Sequence, residues 1–295
     1  MKFNLYVGVA VLRIRFGPAG IPVDYRGPVE GVPAFLRGLG LGAFEYEAVR
    51  GVRISEAKAR SLGSEALAND VVMSLHAPYY VNLASPDDSV FSKSVERVVE
   101  SMKAAEWMGA YAVVVHSGYY KGYRSRGDAL KRVIEGYLRV LEELPAWVRR
   151  PSIAPETMGR TSQVGGLEEV VEICRSVGRC RPCVDWAHLH ARSEGRLSVT
   201  VDDVLKAVEL IERELGKQAV TPLHTHFSKI KYGRGGEREH RVLEDKSYGP
   251  EWAPVCKAYL EAGVEAVVIS ESPILERDAL LMKRVCEDIA LGGSI

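Results

Sequence analysis

The chain reads VVMSLHAP at positions 71–78, has a segment of helical period at 94–108, and then reads YAVVVHSG at 111–118. Each of the two quoted runs is short and rich in β-branched residues, which is typical of a buried strand. Strand, helix and strand in this order predict a βαβ unit, in which the two strands lie parallel in one sheet.

The same alternation continues on both sides of this unit. Further strand-like runs are VLRIRF (11–16), AFEYEAV (43–49), SIAPET (152–157), RPCVDWAH (181–188), PLHTHFS (222–228) and AVVISESP (266–273). Further segments of helical period lie at 128–141, 167–174, 201–215 and 277–289, and Thr200 is the expected N-cap of the third. Eight strands alternating with helices predict an α/β fold, the (β/α)8 TIM barrel. A doubly wound open sheet is the alternative, but it usually shows G-x-G-x-x-G after its first strand, where this chain has GPAG at 17–20.

The bulk composition is that of an ordinary globular chain. Of the 295 residues, 46% are apolar and 26% are charged, and 39 basic residues balance 39 acidic ones. No linker or charge block divides the chain, so we expect a single domain over 1–295, with residues 1–10 as an N-terminal extension. The neutral total gives no overall attraction to nucleic acid or anionic membrane, although a local basic rim can coexist with it.

The sequence also bears on location. The opening MKFNLYVGVAVLRIRF has a short apolar run broken by Arg13 and Arg15, so we expect a strand rather than a signal peptide. No run approaches eighteen apolar residues, which predicts no membrane span. The five cysteines are odd in number and sparse, which fits a reducing compartment. We therefore expect a cytoplasmic protein without a membrane partner.

The histidines share one kind of position. All seven fall at the ends of predicted strands or in the loops after them, and none falls in a predicted helix: His76, His116, His188, His190, His224, His226 and His240. Three carboxylates follow the same rule, because Glu156, Asp185 and Glu271 come at the ends of nearly apolar runs. In a barrel these positions converge on the carboxyl-terminal face, where active sites lie.

This convergence predicts a site for divalent metal ions. An unpaired buried carboxylate is unfavourable, a nearby cation removes that penalty, and imidazole with carboxylate suits zinc, manganese or iron. Taken singly, a strand-end histidine is more often structural, and a strand-end Glu could be a general base or half of a buried ion pair. His224 and His226 are two apart and share a strand face, so only one of them need bind metal.

Two other groups of residues carry weaker signals. Cys180-x-x-Cys183 has the spacing of half a zinc clip, but no second pair exists and Cys180 precedes a strand, which favours a structural role. A basic run follows the seventh strand and is either a solvated loop or a phosphate-binding rim. It consists of Lys229, Lys231, Arg234, Arg238 and Arg241.

Six segments in sequence order resemble the endonuclease IV family, the apurinic/apyrimidinic endonucleases of the xylose-isomerase-like barrel superfamily. They are SLHAPYYVNLASPD (74–87), VVVHSGYY (113–120), IAPETMGR (153–160), VDWAHLHAR (184–192), LHTHFSKIKYGRGGEREH (223–240) and ISESP (269–273). The opening RIRFGPAGIP and the stretch EYEAVRGVRIS are similar to archaeal-type members of that family.

The resemblance implies a cluster of three zinc ions, with manganese as an alternative. Carried over by position, the ligands are His76, His116, Glu156, Asp185, His188, His224, Glu237, His240 and Glu271. The first three would hold one ion, and Glu156 would bridge to a second ion held by Asp185, His224 and Glu271. The third ion would take His188, His240 and an acidic residue.

The chain departs from the family at that acidic residue. The family's Asp-x-His is replaced by Glu237-Arg238-Glu239-His240, which makes Glu237 the expected ligand and Glu239 the alternative. The family's His-x-Asn becomes His224-Thr225-His226, so His226 is expected to support the ligands from behind without binding metal. Two positions match DNA-contacting residues of the family, namely Tyr79 and, more weakly, Arg50.

The implied function is hydrolysis of the phosphodiester 5′ to an abasic site in double-stranded DNA, in a monomeric zinc enzyme in which Glu156 is the central catalytic residue. Metal ions would lower the pKa of a water and neutralise the departing oxygen. An abasic nucleotide flips out of the duplex easily, which gives selectivity. The rival is a sugar isomerase or epimerase of the same superfamily, which needs one ion and four ligands. A non-catalytic DNA-damage sensor is a third reading.

Overall fold

Parallel strands form the inner wall of a barrel in the computed structural model, which describes residues 13–293. In that range the barrel strands are β1 (Ile14–Pro18), β2 (Ala43–Glu47), β3 (Val72–His76), β4 (Ala112–Val115), β5 (Ser152–Pro155), β6 (Cys183–Asp185), β7 (Leu223–Phe227) and β10 (Ala266–Ser270). An antiparallel hairpin of β8 (Lys229–Gly233) and β9 (Gly236–Arg241) follows β7. The predicted (β/α)8 barrel is confirmed.

Two half-barrels close on each other. One has the strand order β2-β3-β4-β5 and the other β1-β10-β7-β6. Backbone bridges join them where Ala19 meets Glu45 and where Glu156 meets Cys183. Gly17 permits the first join, because a Cβ there would lie 1.8 Å from the carbonyl oxygen of Ala43. The closure therefore depends on a residue without a side chain.

Helices surround the barrel. They are α1 (Val32–Gly38), α2 (Glu56–Ala68), α3 (Asp88–Met108), α4 (Arg126–Glu143), α5 (Leu167–Val177), α6 (Trp186–Arg192), α7 (Val201–Leu215), α8 (Trp252–Ala262) and α9 (Glu276–Ala290). The five predicted helices are present within a few residues of their expected bounds, and Thr200 caps α7 by accepting a hydrogen bond from the Asp203 amide. The prediction missed α1, α2, α6 and α8, which are short or have a weak apolar stripe.

The segment after β7 was expected to be a loop, and that expectation is wrong. Its residues pair as β8 and β9, with Lys229 opposite Arg241 and Gly233 opposite Gly236. Alternating side chains in KIKYG and a glycine pair at the turn, Gly235 and Gly236, both at positive φ, favour this hairpin. The hairpin extends the barrel wall over the carboxyl-terminal face.

Some expectations concern the ends of the chain and its cysteines. The expected extension at residues 1–10, and the first two residues of the predicted strand 11–16, lie outside the described residues. Among residues 13–293, no helix combines the length and apolar character needed to cross a membrane. Disulfides join Cys174 to Cys180 and Cys256 to Cys286, which the expectation of a reducing compartment does not predict.

Candidate metal centre

The carboxylate of Glu156, which directly follows β5, is the centre of the site. Its Oε2 lies 2.9 Å from His116 Nε2 and 3.3 Å from His76 Nε2, and its Oε1 lies 3.0 Å from His188 Nδ1. Two ligands of one zinc ion, each about 2 Å from it, are separated by roughly 3 to 4 Å. Glu156, His76 and His116 thus have the spacing of one metal site, and their ligand atoms lie within 4.8 Å of one another.

A second group of ligand atoms shares Glu156. Ligand atoms of Asp185, His188 and Glu271 lie within 4.8 Å of one another and of Glu156. His226 is part of the same arrangement, because its Nδ1 lies 3.3 Å from Glu156 Oε1 and 3.2 Å from Glu271 Oε1. Glu156 is therefore positioned to bridge two ions.

The two histidines of β7 have the opposite placement to the one expected. His224 pairs in register with Cys183, whereas His226 pairs with Asp185, one step of two residues nearer the carboxyl-terminal face. Two residues of a strand span about 6.6 Å. Both rings face the barrel interior. His224 lies deeper in the barrel than Asp185 and contacts Glu45, with 3.1 Å between His224 Nε2 and Glu45 Oε2. Of the two histidines, His226 is the one that lies beside Asp185 and Glu271.

A third group lies beside the hairpin. Ligand atoms of His188, His240 and Glu271 lie within 4.8 Å of one another. The His240 Nδ1 is 2.8 Å from the Ser228 hydroxyl, and its Nε2 is 3.8 Å from Glu271 Oε2. The Oε2 of Glu237 lies 3.6 Å from His188 Nε2. The hairpin therefore brings both His240 and Glu237 to His188.

A bulge in β9 decides which glutamate faces the site. Tyr232 pairs with Glu237 and Lys231 pairs with Glu239, so one extra residue, Arg238, is inserted on β9. A bulge shifts the alternation of side chains by one position. Glu237 therefore lies on the side of His240, three residues away, while Glu239 forms an ion pair with Arg241.

The donor set fits metal ions. Several buried ligand atoms have no hydrogen-bond partner among the described residues: Glu156 Oε1, Asp185 Oδ2, Glu271 Oε2, and both ring nitrogens of His226. Glu156 Oε1 is unpaired although imidazole nitrogens lie 3.0 and 3.3 Å away. Buried polar atoms without partners are unfavourable in a folded protein, and atoms that converge without hydrogen-bond geometry are the arrangement of ligands about an ion.

The pKa shifts indicate the same need for positive charge. Burial raises the pKa of Asp185 to about 8 because its ionised form is poorly solvated. Burial would also raise the pKa of Glu156, but the charges of His116 and His226 and the close approach of the His116 and His188 rings hold it well below its usual range. The protein alone thus keeps some carboxylates charged and neutralises others. A cation would stabilise the charged form of all of them.

A cavity of about 260 Å³ opens over these groups. Tyr79 and Arg160 line it together with His116, His188, Glu237, His240 and Glu271. The Tyr79 ring stacks on His116 with 5.2 Å between the ring centres, and half of the residue is exposed. Arg50 is exposed in the turn after β2, where the carbonyl of the preceding Val49 accepts a hydrogen bond from the Tyr79 amide. Tyr79 and Arg50 therefore lie in adjacent loops at the rim.

A larger cavity, of about 620 Å³, lies at the other end of the barrel. Its lining includes Asp70, Val72 and Gly109, which lie at or just before the starts of β3 and β4. None of the groups of ligand atoms found among the described residues lies in that lining. The smaller cavity, which the ligand groups line, is therefore the candidate site.

Sequence analysis missed several residues of the site. Glu45 and Glu47 are two apart in AFEYEAV and both lie on β2, with the Glu45 side chain fully buried inside the barrel. Burial raises the pKa of Glu47 to about 8. Two acidic residues at alternate positions of an otherwise apolar strand were the available signal. Arg160 gave no signal, because its place over the cavity depends on the turn after β5.

Some sequence expectations need correction. His188 and His190 lie in helix α6, although no histidine was expected in a helix. The His190 Nδ1 donates to the Leu197 carbonyl, which is a structural contact. In the basic run, Lys229 is buried, donates to the Asp245 carbonyl and pairs with Glu251. Lys229 therefore does not belong to a phosphate-binding rim.

Comparison with relatives places these features in context. A family model described as xylose isomerase-like TIM barrel matches residues 33–284. An uncharacterised protein from Methanocaldococcus jannaschii is 34% identical over 274 residues, which are 93% of this chain and 97% of that protein. A protein from Carboxydothermus hydrogenoformans named probable endonuclease 4 is 26% identical over 220 residues, which are 73% of this chain and 75% of that protein.

Solved structures share the architecture. Endonuclease IV from Thermus thermophilus has a TM-score of 0.72 at 24% identity, over 94% of this chain and 99% of that one. The 3-keto-D-glucoside 4-epimerase from E. coli has a TM-score of 0.64 at 14% identity, over 94% and 97% of the two chains. These likenesses show the fold alone. Because the family model spans most of the barrel described above, this chain belongs to the xylose isomerase-like TIM barrel family.

Proposed function

We propose that this protein is a metal-dependent apurinic/apyrimidinic endonuclease that hydrolyses the phosphodiester 5′ to abasic sites in DNA with a cluster of three zinc ions. The observation that carries the proposal is the set of three overlapping ligand groups around Glu156. The proposed ligands are His76, His116, Glu156, Asp185, His188, His226, Glu237, His240 and Glu271. The relatives named probable endonuclease 4 support the same class of enzyme.

The chain's own residues would do three things in this reaction. Glu156 would hold two ions at a fixed separation, since each of its oxygens faces a different set of imidazoles. His76 is held in one orientation, with its Nδ1 2.8 Å from the Ala77 carbonyl, to which it donates, so that its Nε2 is free for metal. Zinc bound there would lower the pKa of water and neutralise charge on the phosphate.

The rim would bind the damaged duplex. Tyr79 offers an exposed ring beside the cavity, and Arg160 offers a guanidinium to a phosphate. A cavity of about 260 Å³ holds little more than a sugar and a phosphate, so a flipped abasic nucleotide fits better than one that carries a base. Contacts of this kind depend on salt and not on base sequence.

A sugar epimerase is the second candidate, since Glu156, Asp185, His226 and Glu271 alone could hold one ion. The epimerase fold match is consistent with it. One ion does not need His76, His116, His188 and His240, whereas three ions do. This surplus of imidazoles favours the endonuclease.

A nicking assay on a duplex with one abasic site tests the proposal. We expect cleavage that stops after chelation with EDTA or phenanthroline and returns on addition of zinc, with three or more metal equivalents per chain by elemental analysis. A 3-keto-sugar epimerisation assay runs in parallel. Epimerisation without nicking, or nicking that survives verified metal removal, would overturn the proposal. A cytoplasmic location, a single domain and a monomeric state remain predictions.

A further inference from the structure

Below the candidate metal centre, deeper in the barrel, a second set of metal-binding side chains is buried. Ligand atoms of Cys183, His224 and His226 lie within 4.8 Å of one another. Glu45 reaches them from β2, with Oε1 2.9 Å from His226 Nε2 and Oε2 3.1 Å from His224 Nε2. All four side chains are fully buried.

The strand register explains why these side chains meet. Cys183 on β6 pairs with His224 on β7, and His226 is two residues further along the same strand. Side chains two apart on a barrel strand face the same side, here the interior. Glu45 faces inward from β2 and reaches both rings of β7. The four residues come from three strands.

Two neighbours fix the orientation of this group. The Ser74 hydroxyl donates to Glu45 Oε2 at 2.7 Å, and the Tyr111 hydroxyl lies 2.5 Å from His224 Nδ1. Metal-binding histidines are commonly held in this way through their second ring nitrogen. The Nε2 of His224 is thereby directed toward Glu45 and the interior.

Unpaired atoms point into the group. Glu45 Oε1 and His226 Nε2 have no hydrogen-bond partner among the described residues, although only 2.9 Å separates them. Both atoms are buried. A buried carboxylate oxygen and a buried imidazole nitrogen that converge at this distance without hydrogen-bond geometry are arranged as two ligands of one ion would be.

We propose that Cys183, His224, His226 and Glu45 bind a further metal ion of the zinc type, separate from the three ions of the proposed endonuclease centre. Cys183, His224 and His226 bring ligand atoms within 4.8 Å of one another, and the Glu45 carboxylate, which contacts both rings, would supply a fourth ligand of a type that zinc accepts. The thiolate and the carboxylate balance the charge of a divalent ion inside the barrel. On binding, Cys183 releases its thiol proton to solvent.

His226 then links the two levels of the barrel. Its Nε2 faces Glu45 and its Nδ1 faces Glu156 and Glu271. The ring would therefore offer one nitrogen to the deep group and the other to the upper centre. The deep ion would thus hold His226 in place from below.

Cobalt substitution of the full chain tests the proposal. Cobalt(II) bound to a thiolate gives a charge-transfer absorption in the near ultraviolet that imidazole and carboxylate ligands do not give. Four of the five cysteines, all of which lie within residues 13–293, are in disulfides, so Cys183 is the one thiol available. We expect protein produced in cobalt-supplemented medium to show this band, and Cys183→Ser to lose the band and one equivalent of metal per chain.

Further variants separate this ion from the proposed catalytic ones. His240→Ala should lower the metal content of the upper centre and keep the band, whereas Glu45→Gln should weaken the band. Ser117→Ala is the control. It removes a buried hydroxyl that is hydrogen-bonded to Tyr137, and it should change neither the band nor the metal content. Absence of the band in the unmodified protein, or unchanged metal content in Cys183→Ser, would show that protons alone occupy this group. A band without nicking activity would leave this inference standing and remove the proposed function.

Discussion

Glu237 and His188 meet beside Gly159, where no side chain separates them. The Glu237 Oε2 lies 3.6 Å from His188 Nε2, and a Cβ on Gly159 would lie 2.6 Å from Glu237 Cβ and 2.9 Å from His188 Cδ2. Contacts that short do not occur, so an alanine must displace one of the two side chains. Glycine at this position is thus part of the third proposed metal site.

Gly159→Ala should therefore lower nicking activity by about 10- to 100-fold, the usual effect of disturbing the surroundings of a metal ligand. Bound metal should fall by one equivalent per chain. Gly38→Ala is the matched control, because a Cβ there meets nothing within 4 Å. Full metal content in Gly159→Ala would contradict this account of the third site.

The bulge in β9 predicts different outcomes for two neighbouring glutamates. Glu237→Gln should lose about one metal equivalent and most of the activity, because Glu237 faces His188. Glu239→Gln should keep both, because Glu239 is paired with Arg241 on the outer side of the hairpin. Elemental analysis and the nicking assay measure the two variants side by side. The reverse result would show that the hairpin register differs in solution.

Glu156→Gln should reduce cleavage by at least about a hundredfold and lower the metal content, since the amide supplies one weak oxygen ligand in place of a bridging carboxylate. The fold should remain, because the substitution leaves the surrounding barrel unchanged. Circular dichroism checks the fold, and Glu142→Gln on the exposed face of α4 serves as the control. Full activity in Glu156→Gln would refute the bridging role.

Arg160 should contribute to DNA affinity rather than to metal binding. Arg160→Gln should weaken binding to abasic and intact duplexes alike and reduce the slope of log K against log salt by about 1, as expected for one lost phosphate contact. Arg213→Gln on α7 removes an equal charge far from the cavity. Binding measured by fluorescence anisotropy at several salt concentrations separates the two. An unchanged slope in Arg160→Gln would exclude the contact.

The two disulfides should stabilise the barrel unequally. Cys256 and Cys286 are 30 residues apart and tie α8 to α9, whereas Cys174 and Cys180 are 6 residues apart. By loop-closure entropy, loss of the first should lower the free energy of unfolding by about 3 to 4 kcal/mol and loss of the second by about 2 kcal/mol. Urea titration of the paired serine variants measures this. Five free thiols in the unreduced, denatured protein would show that neither bond forms.

The sequence was sufficient to predict the barrel and the face that carries the site. Alternating apolar runs and helical segments specify parallel strands, and the histidines and carboxylates at the strand ends then fall on one face whatever the detailed packing. Glu156, His76, His116 and Asp185 were predicted on this basis and lie together in the structure. The signal was local, because each residue's position relative to its own strand end was enough.

The tertiary structure decided how deep each side chain lies and which face it occupies. Strand register, which sequence does not show, makes His226 rather than His224 the neighbour of Asp185. A one-residue bulge directs Glu237 inward and Glu239 outward. Glu45 and Cys183 became neighbours of these histidines only when the barrel closed, since closure brings together strands that are distant in sequence. A periodic pattern fixes which residues face inward, but only the packed barrel fixes which of them touch.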